Sequence, residues 1–297
     1  MVLIVQGQAF QLTSEDGVSV KKQELHHLRS NQEESDTRIL LYAAFGCSQE
    51  YPNIRVRSPD TDVFFIMLHH AANVNCELFF DTGKGNNKRL LNVSQIAKGY
   101  GQMYSSALMV LHAFTGCDST SAFKGIGKIK PIKILEKKKH FQNVLAVVGD
   151  SWEMSPTLLE VFEEFTCCMY GFPRFSSLDM LRYHLLKKKC VENDQLDPKR
   201  TVDLSIFPPC QETLKQHLKR TIYQVGIWKR AFEQFPEVPD PEDNGWVKET
   251  GVLEPLWCDG EILPLCLADL VKDDSDTEEE CLEEESDSDS DNTDVEF

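Results

Sequence analysis

Two periods of apolar positions alternate along the first half of the chain. Met1–Glu24 carries short alternating runs that predict one or two strands, with a turn at Ser14-Glu15-Asp16-Gly17. Across Gln32–Phe45 the period lengthens: Ile39, Leu40, Ala43 and Ala44 fall on one face of a helix. Asn53–Arg57 returns to strand character and is closed by Ser58-Pro59-Asp60, after which Val63–Ala72 reads as a buried helix. Cys76–Phe80 is a further strand, and Lys88–Asn92 is positioned to pair beside it. Ser94 resembles the N-cap of a helix over Gln95–Gly99, and Ser106–Thr115 is a strongly apolar helix. Strands alternating with helices in this way predict an α/β layer with a largely parallel sheet over residues 1–150.

After the Ser106–Thr115 helix the pattern turns helical. Pro131–Lys139, Leu158–Tyr170, Leu178–Lys188 and Glu212–Phe235 are the candidate helices of the later chain. The last has a stripe at Leu214, Leu218, Ile222, Val225, Trp228 and Phe232, which reads as a packing face. Residues 236–260, rich in Pro, Gly and acids, read as a surface wrap. The chain thus divides into a core over 1–150, a mainly helical region over 151–271 and a tail over 272–297. That tail has too little apolar character to fold and is expected to be disordered.

Charge changes this picture in one respect. The net charge is −17, which argues against binding a polyanion. Fourteen Asp and Glu with no Lys or Arg in 273–297 account for all but three of those charges. The body is therefore near neutral and has room for a local basic patch, while the tail suits a basic protein partner. The ten cysteines form no C-x-x-C pair, which argues against structural zinc and for free thiols in the nucleus or cytoplasm, a reducing compartment. No run of eighteen apolar residues is present, so no membrane span is expected.

Three acidic sites are candidates for chemistry. Glu33-Glu34-Ser35-Asp36 opens a helix, Asp60-Thr61-Asp62 follows a strand, and Asp118 follows the apolar helix in Thr115-Gly116-Cys117-Asp118. Each has an ordinary explanation: complementation of a helix dipole, an N-cap or a turn. Position favours more, because ligands of open parallel sheets collect beyond the carboxyl ends of strands. Extended backbone would aim Asp60 and Asp62 the same way. Carboxylates brought together repel unless divalent cations neutralise them, and all-oxygen ligation suits Mg²⁺ or Mn²⁺. A second constellation is Lys124-Gly125-Ile126-Gly127-Lys128-Ile129-Lys130-Pro131. Its glycines let backbone amides approach a phosphate and its lysines add charge, although a lone Gly-x-Gly is more often a helix–helix turn. Asp81-Thr82-Gly83-Lys84-Gly85 lacks the spacing of a phosphate-binding P-loop and reads as a loop.

Taken in order, these segments resemble the flap-endonuclease (XPG-like, PIN-like) 5′-nuclease family. Glu34-Ser35-Asp36-Thr37 matches its acidic pair, Asp60-Thr61-Asp62 its Asp-x-Asp, Gly116-Cys117-Asp118 its Gly-Ser-Asp, and Gly125-Ile126-Gly127 the glycines of its helix–two-turn–helix, here about 106–139. The likeness covers roughly residues 30–150. Glu33–Leu40 and residues 115–135 also resemble multicopy, transposon-like animal genes of this type, with a Glu-Glu-Ala-Asp-Thr-Arg signature. The family resemblance implies a parallel-rich sheet with helices on both faces. It also implies Glu34, Asp36, Asp60, Asp62 and Asp118 as metal ligands, with Asp60, Asp62 and Asp118 catalytic. Lys124, Gly125, Gly127, Lys128 and Lys130 would hold DNA backbone, branched or with a free 5′ end. Family members also carry an earlier segment with two more aspartates and a basic arch. Only about thirty residues precede Glu34 here, so the expectation is an N-terminally truncated core with weak or absent hydrolysis. The alternative is a non-catalytic remnant of a mobile element that binds DNA or protein.

Overall fold

The computed structural model of the chain describes residues 2–5, 8–14, 17–192, 195–196 and 203–259. The expected acidic tail therefore lies outside the described residues. Strands β1 (Val2–Val5), β2 (Gln8–Thr13) and β3 (Lys21–Glu24) form an antiparallel sheet in that order. Gly17, at φ 69°, sits in the turn between β2 and β3. Behind this sheet, Ala9, Leu25 and Leu28 pack with Tyr42 and Phe45 of helix α1 (Ser35–Ser48).

The second sheet contains β4 (Asn53–Arg57), β5 (Glu77–Thr82) and β6 (Arg89–Asn92), with α2 (Thr61–His70) crossing from β4 to β5. Strands β4 and β5 are parallel, in register from Asn53 opposite Glu77 to Arg57 opposite Asp81. Strand β6 returns antiparallel to β5. The expected parallel-rich sheet is corrected to a small mixed one among the described residues. The reason is the short link between β5 and β6: a parallel neighbour needs a crossover of roughly a dozen residues or more.

Helix α3 (Val93–Tyr100) starts two residues earlier than its sequence suggests. Asn92 is its N-cap, accepting from the Gln95 amide at 3.0 Å, while Ser94 Oγ accepts from the Leu78 amide at 2.9 Å. Helix α4 (Gln102–Phe114) is buried at every position from Ser105 to Phe114. A helix apolar on all sides must lie inside the fold, and α4 packs against α2, α3 and two later helices, α6 (Lys139–Ala146) and α9 (Gln211–Lys229).

Helix α5 (Ile129–Lys137) ends where Lys138 turns extended, at φ −118° and ψ 94°, and α6 then begins. The lysine run hides this break in the sequence, yet Phe141 and Leu145, one turn apart on α6, are fully buried. Helices α7 (Pro156–Met169) and α8 (Leu178–Cys190), a two-residue pair β7 (Val191–Glu192) and β8 (Gln195–Leu196), and α9 follow. The segment read as a surface wrap contains a hairpin, β9 (Trp246–Glu249) and β10 (Val252–Pro255). Along α9 the stripe from Leu214 to Trp228 is buried as expected. A continuous core runs from Leu40 to Ala231, joining α9 to the α/β layer. Each large side chain there contributes roughly 1.5–3 kcal/mol by leaving water.

The free-thiol expectation fails at one pair: Cys47, in the last turn of α1, and Cys76, just before β5, form a disulfide, with Cα atoms 5.6 Å apart. Cys117, Cys167, Cys168, Cys210 and Cys258 are free thiols. Among the described residues no helix is long and apolar enough to cross a membrane.

Candidate metal centre

The first turns of α1 and α2 meet beside the end of α4. Asp60 is the N-cap of α2, and its Oδ1 accepts from the Asp62 amide at 2.9 Å. Ser58 Oγ in turn accepts from the Asp60 amide at 3.1 Å. Asp62 and Asp60 are therefore neighbours through an N-cap turn, not through the extended alternation expected from sequence. Asp36 lies in the first turn of α1. One carboxylate oxygen from each of Asp36, Asp60 and Asp62 falls within 4.8 Å of the others.

Asp62 is nearly buried, at 6% exposure, and Asp62 Oδ1 lies 2.7 Å from His112 Nε2. His112 on α4 stacks on Phe65, ring centroids 4.2 Å apart. Burial pushes the His112 pKa down, against the upward pull of the Asp62 hydrogen bond. The ring is thus neutral near pH 7, and its Nε2–H donates to the carboxylate without an ion pair. His112 Nδ1 is buried with no partner among the described residues.

Asp36 is held above the usual aspartate range, first by burial, then by the charges of Asp60, Asp62 and Asp118, against the Ser35 hydrogen bond. Asp118 is exposed, in a turn where the Cys117 and Thr120 backbones pair. It acts on Asp36 through space but does not belong to the tight trio.

Glu34 is the N-cap residue of α1, yet its side chain makes no capping bond there. It accepts instead from Gln224 Nε2 at 2.7 Å and from Trp228 Nε1 at 3.2 Å, both on α9. Burial raises the Glu34 pKa, those two bonds oppose the rise, and Asp36 and Asp62 add to it. Gln224 also accepts from Ser119 Oγ at 2.6 Å, so one amide ties Glu34 to the turn that carries Asp118. Sequence reading missed Gln224 and Trp228 as site residues, because helical spacing shows only a packing face. It also missed His112, an apolar-face histidine, and it read Asp81-Thr82 as loop where the structure has the end of β5. Asp81 is buried at the carboxyl end of β5, where Arg55 of β4 holds it at 2.7 Å.

The lysine turn is divided in its use. Lys128 Nζ donates to His112 O (2.9 Å), Gly116 O (2.6 Å) and Thr115 Oγ1 (3.3 Å), closing the carboxyl end of α4. Burial lowers its pKa, with Cys117 and Asp62 pulling the other way. Lys124 is exposed and bonds to Asp203 and Ser205, and Lys130 is also exposed. Gly125 takes φ 74°, whereas Gly127 needs no such freedom, and a Cβ at either would meet nothing. The Ile126 amide closes the turn onto Phe123 O at 3.0 Å.

Comparison of the chain with protein-family models, curated proteins and solved structures gives no match.

Proposed function

We propose that the chain holds one divalent cation, Mg²⁺ or Mn²⁺, on Asp36, Asp60 and Asp62, as the core of a 5′-nuclease-like, DNA-binding protein with weak or absent hydrolysis. The observation that carries this is the approach of three carboxylates to within 4.8 Å across two helix starts. The donor set fits a hard cation. Ser35 bonds Asp36 Oδ1, the Asp62 amide bonds Asp60 Oδ1 and His112 bonds Asp62 Oδ1, which leaves Oδ2 of each outside those bonds. A bound divalent ion supplies Lewis acidity and a more acidic water for phosphodiester chemistry. His112 fixes the rotamer of Asp62, as outer partners of ligating carboxylates do.

Weak hydrolysis is proposed on geometry. A two-ion reaction needs further carboxylates, but both oxygens of Glu34 are engaged by α9 and Asp118 stands outside the trio. For DNA, Lys124 and Lys130 offer charge at the Gly125 turn, while Lys128 is committed to the end of α4. Titration of Mn²⁺ by electron paramagnetic resonance tests the site. One bound ion is expected in the native chain, with at least tenfold weaker binding in Asp60→Asn. Equal affinity in the two proteins would remove the basis of this reading.

A further inference from the structure

A cavity of about 300 Å³ lies between the loop after α4, the end of α7 and the amino-terminal half of α9. Its wall includes three cations, Lys124, Arg182 and Arg220, and no Asp or Glu; Lys124 pairs with Asp203 at the rim, at 3.3 Å, which leaves the two arginines as the charge without a carboxylate partner among the described residues. Aromatic rings of Phe123, Phe207 and Trp257 supply much of the rest. Arg220 is the informative member. It is 1% exposed, and its Nη1 donates to Gly245 O (2.8 Å) and Leu256 O (2.6 Å). Its Nε and Nη2 are buried with no hydrogen-bond partner, and no carboxylate pairs with it among the described residues.

Leaving a guanidinium uncompensated is costly, because a buried charge needs an opposite charge and full hydrogen bonding. Burial alone pulls the Arg220 pKa down to about 10, so it stays charged near neutral pH. The rings of Trp246 and Trp257 lie 5.9 and 5.5 Å from its guanidinium carbon, which gives cation–π attraction but no hydrogen-bond acceptor. The adjoining Gln216, one turn back on α9 and fully buried, also has both amide atoms unpartnered. Trp257 is 55% exposed, so the cover over Arg220 is a side chain at the surface. His217 is held neutral by burial, its pKa near 4, and donates Nε2–H to Phe114 O at 2.8 Å.

We infer that this cavity binds a small anion with a flat apolar body, its phosphate or carboxylate meeting Arg220 with Lys124 and Arg182, and its ring lying among the aromatic walls. The volume is at the lower end for small-molecule pockets and suits one ring system with one charged group. The inference is independent of the metal centre, because the cavity lining shares no residue with the Asp36, Asp60 and Asp62 trio.

The test uses the full chain in EDTA without DNA, which removes any contribution of divalent ions. Adenosine 5′-monophosphate, adenosine, inorganic phosphate and benzoate are titrated separately, following tryptophan fluorescence and thermal unfolding. The inference expects saturable binding of the nucleotide or benzoate, with adenosine at least tenfold weaker than the nucleotide. The unfolding temperature should rise on the order of 5 °C at hundredfold saturation. Nucleotide binding without benzoate binding identifies a phosphate head, and the converse a carboxylate. Arg220→Met should lose at least tenfold in affinity and the thermal rise with it. Should that variant not fold, Arg182→Met, which is half-buried, should lose at least threefold. Absence of binding by both anions at millimolar concentration, or equal affinity in the folded variant, overturns the inference.

Discussion

Replacing Asp36 by Asn should make the metal-free protein more stable and the metal-loaded protein relatively less so. Two carboxylate oxygens at the 4.8 Å outer limit of the trio repel by about 0.9 kcal/mol in a water-like medium and about 3.5 kcal/mol at the effective dielectric of a protein surface. Asp36 faces Asp60 and Asp62 and is only half-buried, so the lower part of that range applies. Removing its charge also forfeits a favourable first-turn acid, about 0.3–1 kcal/mol. The net gain in EDTA is then about 1–2 kcal/mol, or roughly 2–8 °C in Tm for a domain of this size. Because Asp36 binds its proton more tightly in the folded chain, its contribution is fully present below the unfolded aspartate pKa. That contribution is lost as pH rises through the raised folded value. The native chain in EDTA should therefore lose stability over that window, and the Asn variant should lose less. Millimolar Mn²⁺ should raise the Tm of the native chain and barely move the variant. Calorimetry of both proteins across pH, with and without Mn²⁺, reads all of this. An Asn variant that is less stable in EDTA, or equally stabilised by Mn²⁺, refutes the repelling-trio account.

Three other outcomes are expected. Lys124→Glu with Lys130→Glu should weaken duplex DNA binding and flatten its salt dependence in a filter-binding series; unchanged affinity would return the Gly125 turn to an ordinary helix connection. Trp228→Phe should lower stability by about 1–3 kcal/mol by urea unfolding, since Glu34 Oε2 loses its buried donor; a neutral change would mean that the Glu34–α9 tie is dispensable. The purified chain should show little Mg²⁺-dependent cleavage of flap or gapped DNA, whereas robust cleavage abolished in Asp60→Ala would show that these carboxylates suffice.

The elements with local signals were legible before their packing was known. The β4 strand and the α2 and α4 helices carry clean periods, and the structure places them within a few residues of expectation; α9 starts as expected but ends at Lys229, six residues short of Phe235 and before the last stripe residue, Phe232. What was hidden depends on distance in sequence. Glu34 is bonded to residues 190 and 194 positions away, and no spacing rule links a helix-start acid to a glutamine on a packing helix. Likewise Lys128 looks like one of three equivalent lysines, and only the end of α4 distinguishes it. The α5–α6 break was masked by consecutive lysines, and the β9–β10 hairpin by a Pro- and acid-rich composition that usually marks a loop.

Lys128 gives the physical reason for expecting a modest metal affinity. Its ammonium is fixed by three oxygens at the carboxyl end of α4, the same helix whose His112 reaches Asp62. From there it attracts Asp62 through space, as the opposing pulls on its own pKa show. A resident cation beside the acids offsets part of the repulsion that an empty divalent site would otherwise impose, and it repels an arriving Mg²⁺ or Mn²⁺ by the same Coulomb term. The fold is thus stabilised without the ion, at the expense of the ion's binding energy. Lys128→Met should separate the two effects. Three acceptors at the helix end lose their donor, so stability in EDTA should fall by about 1–3 kcal/mol. Mn²⁺ affinity measured on the folded variant should instead rise several-fold. A variant in which both quantities fall together would show that Lys128 only closes α4 and has no electrostatic share in the acidic site.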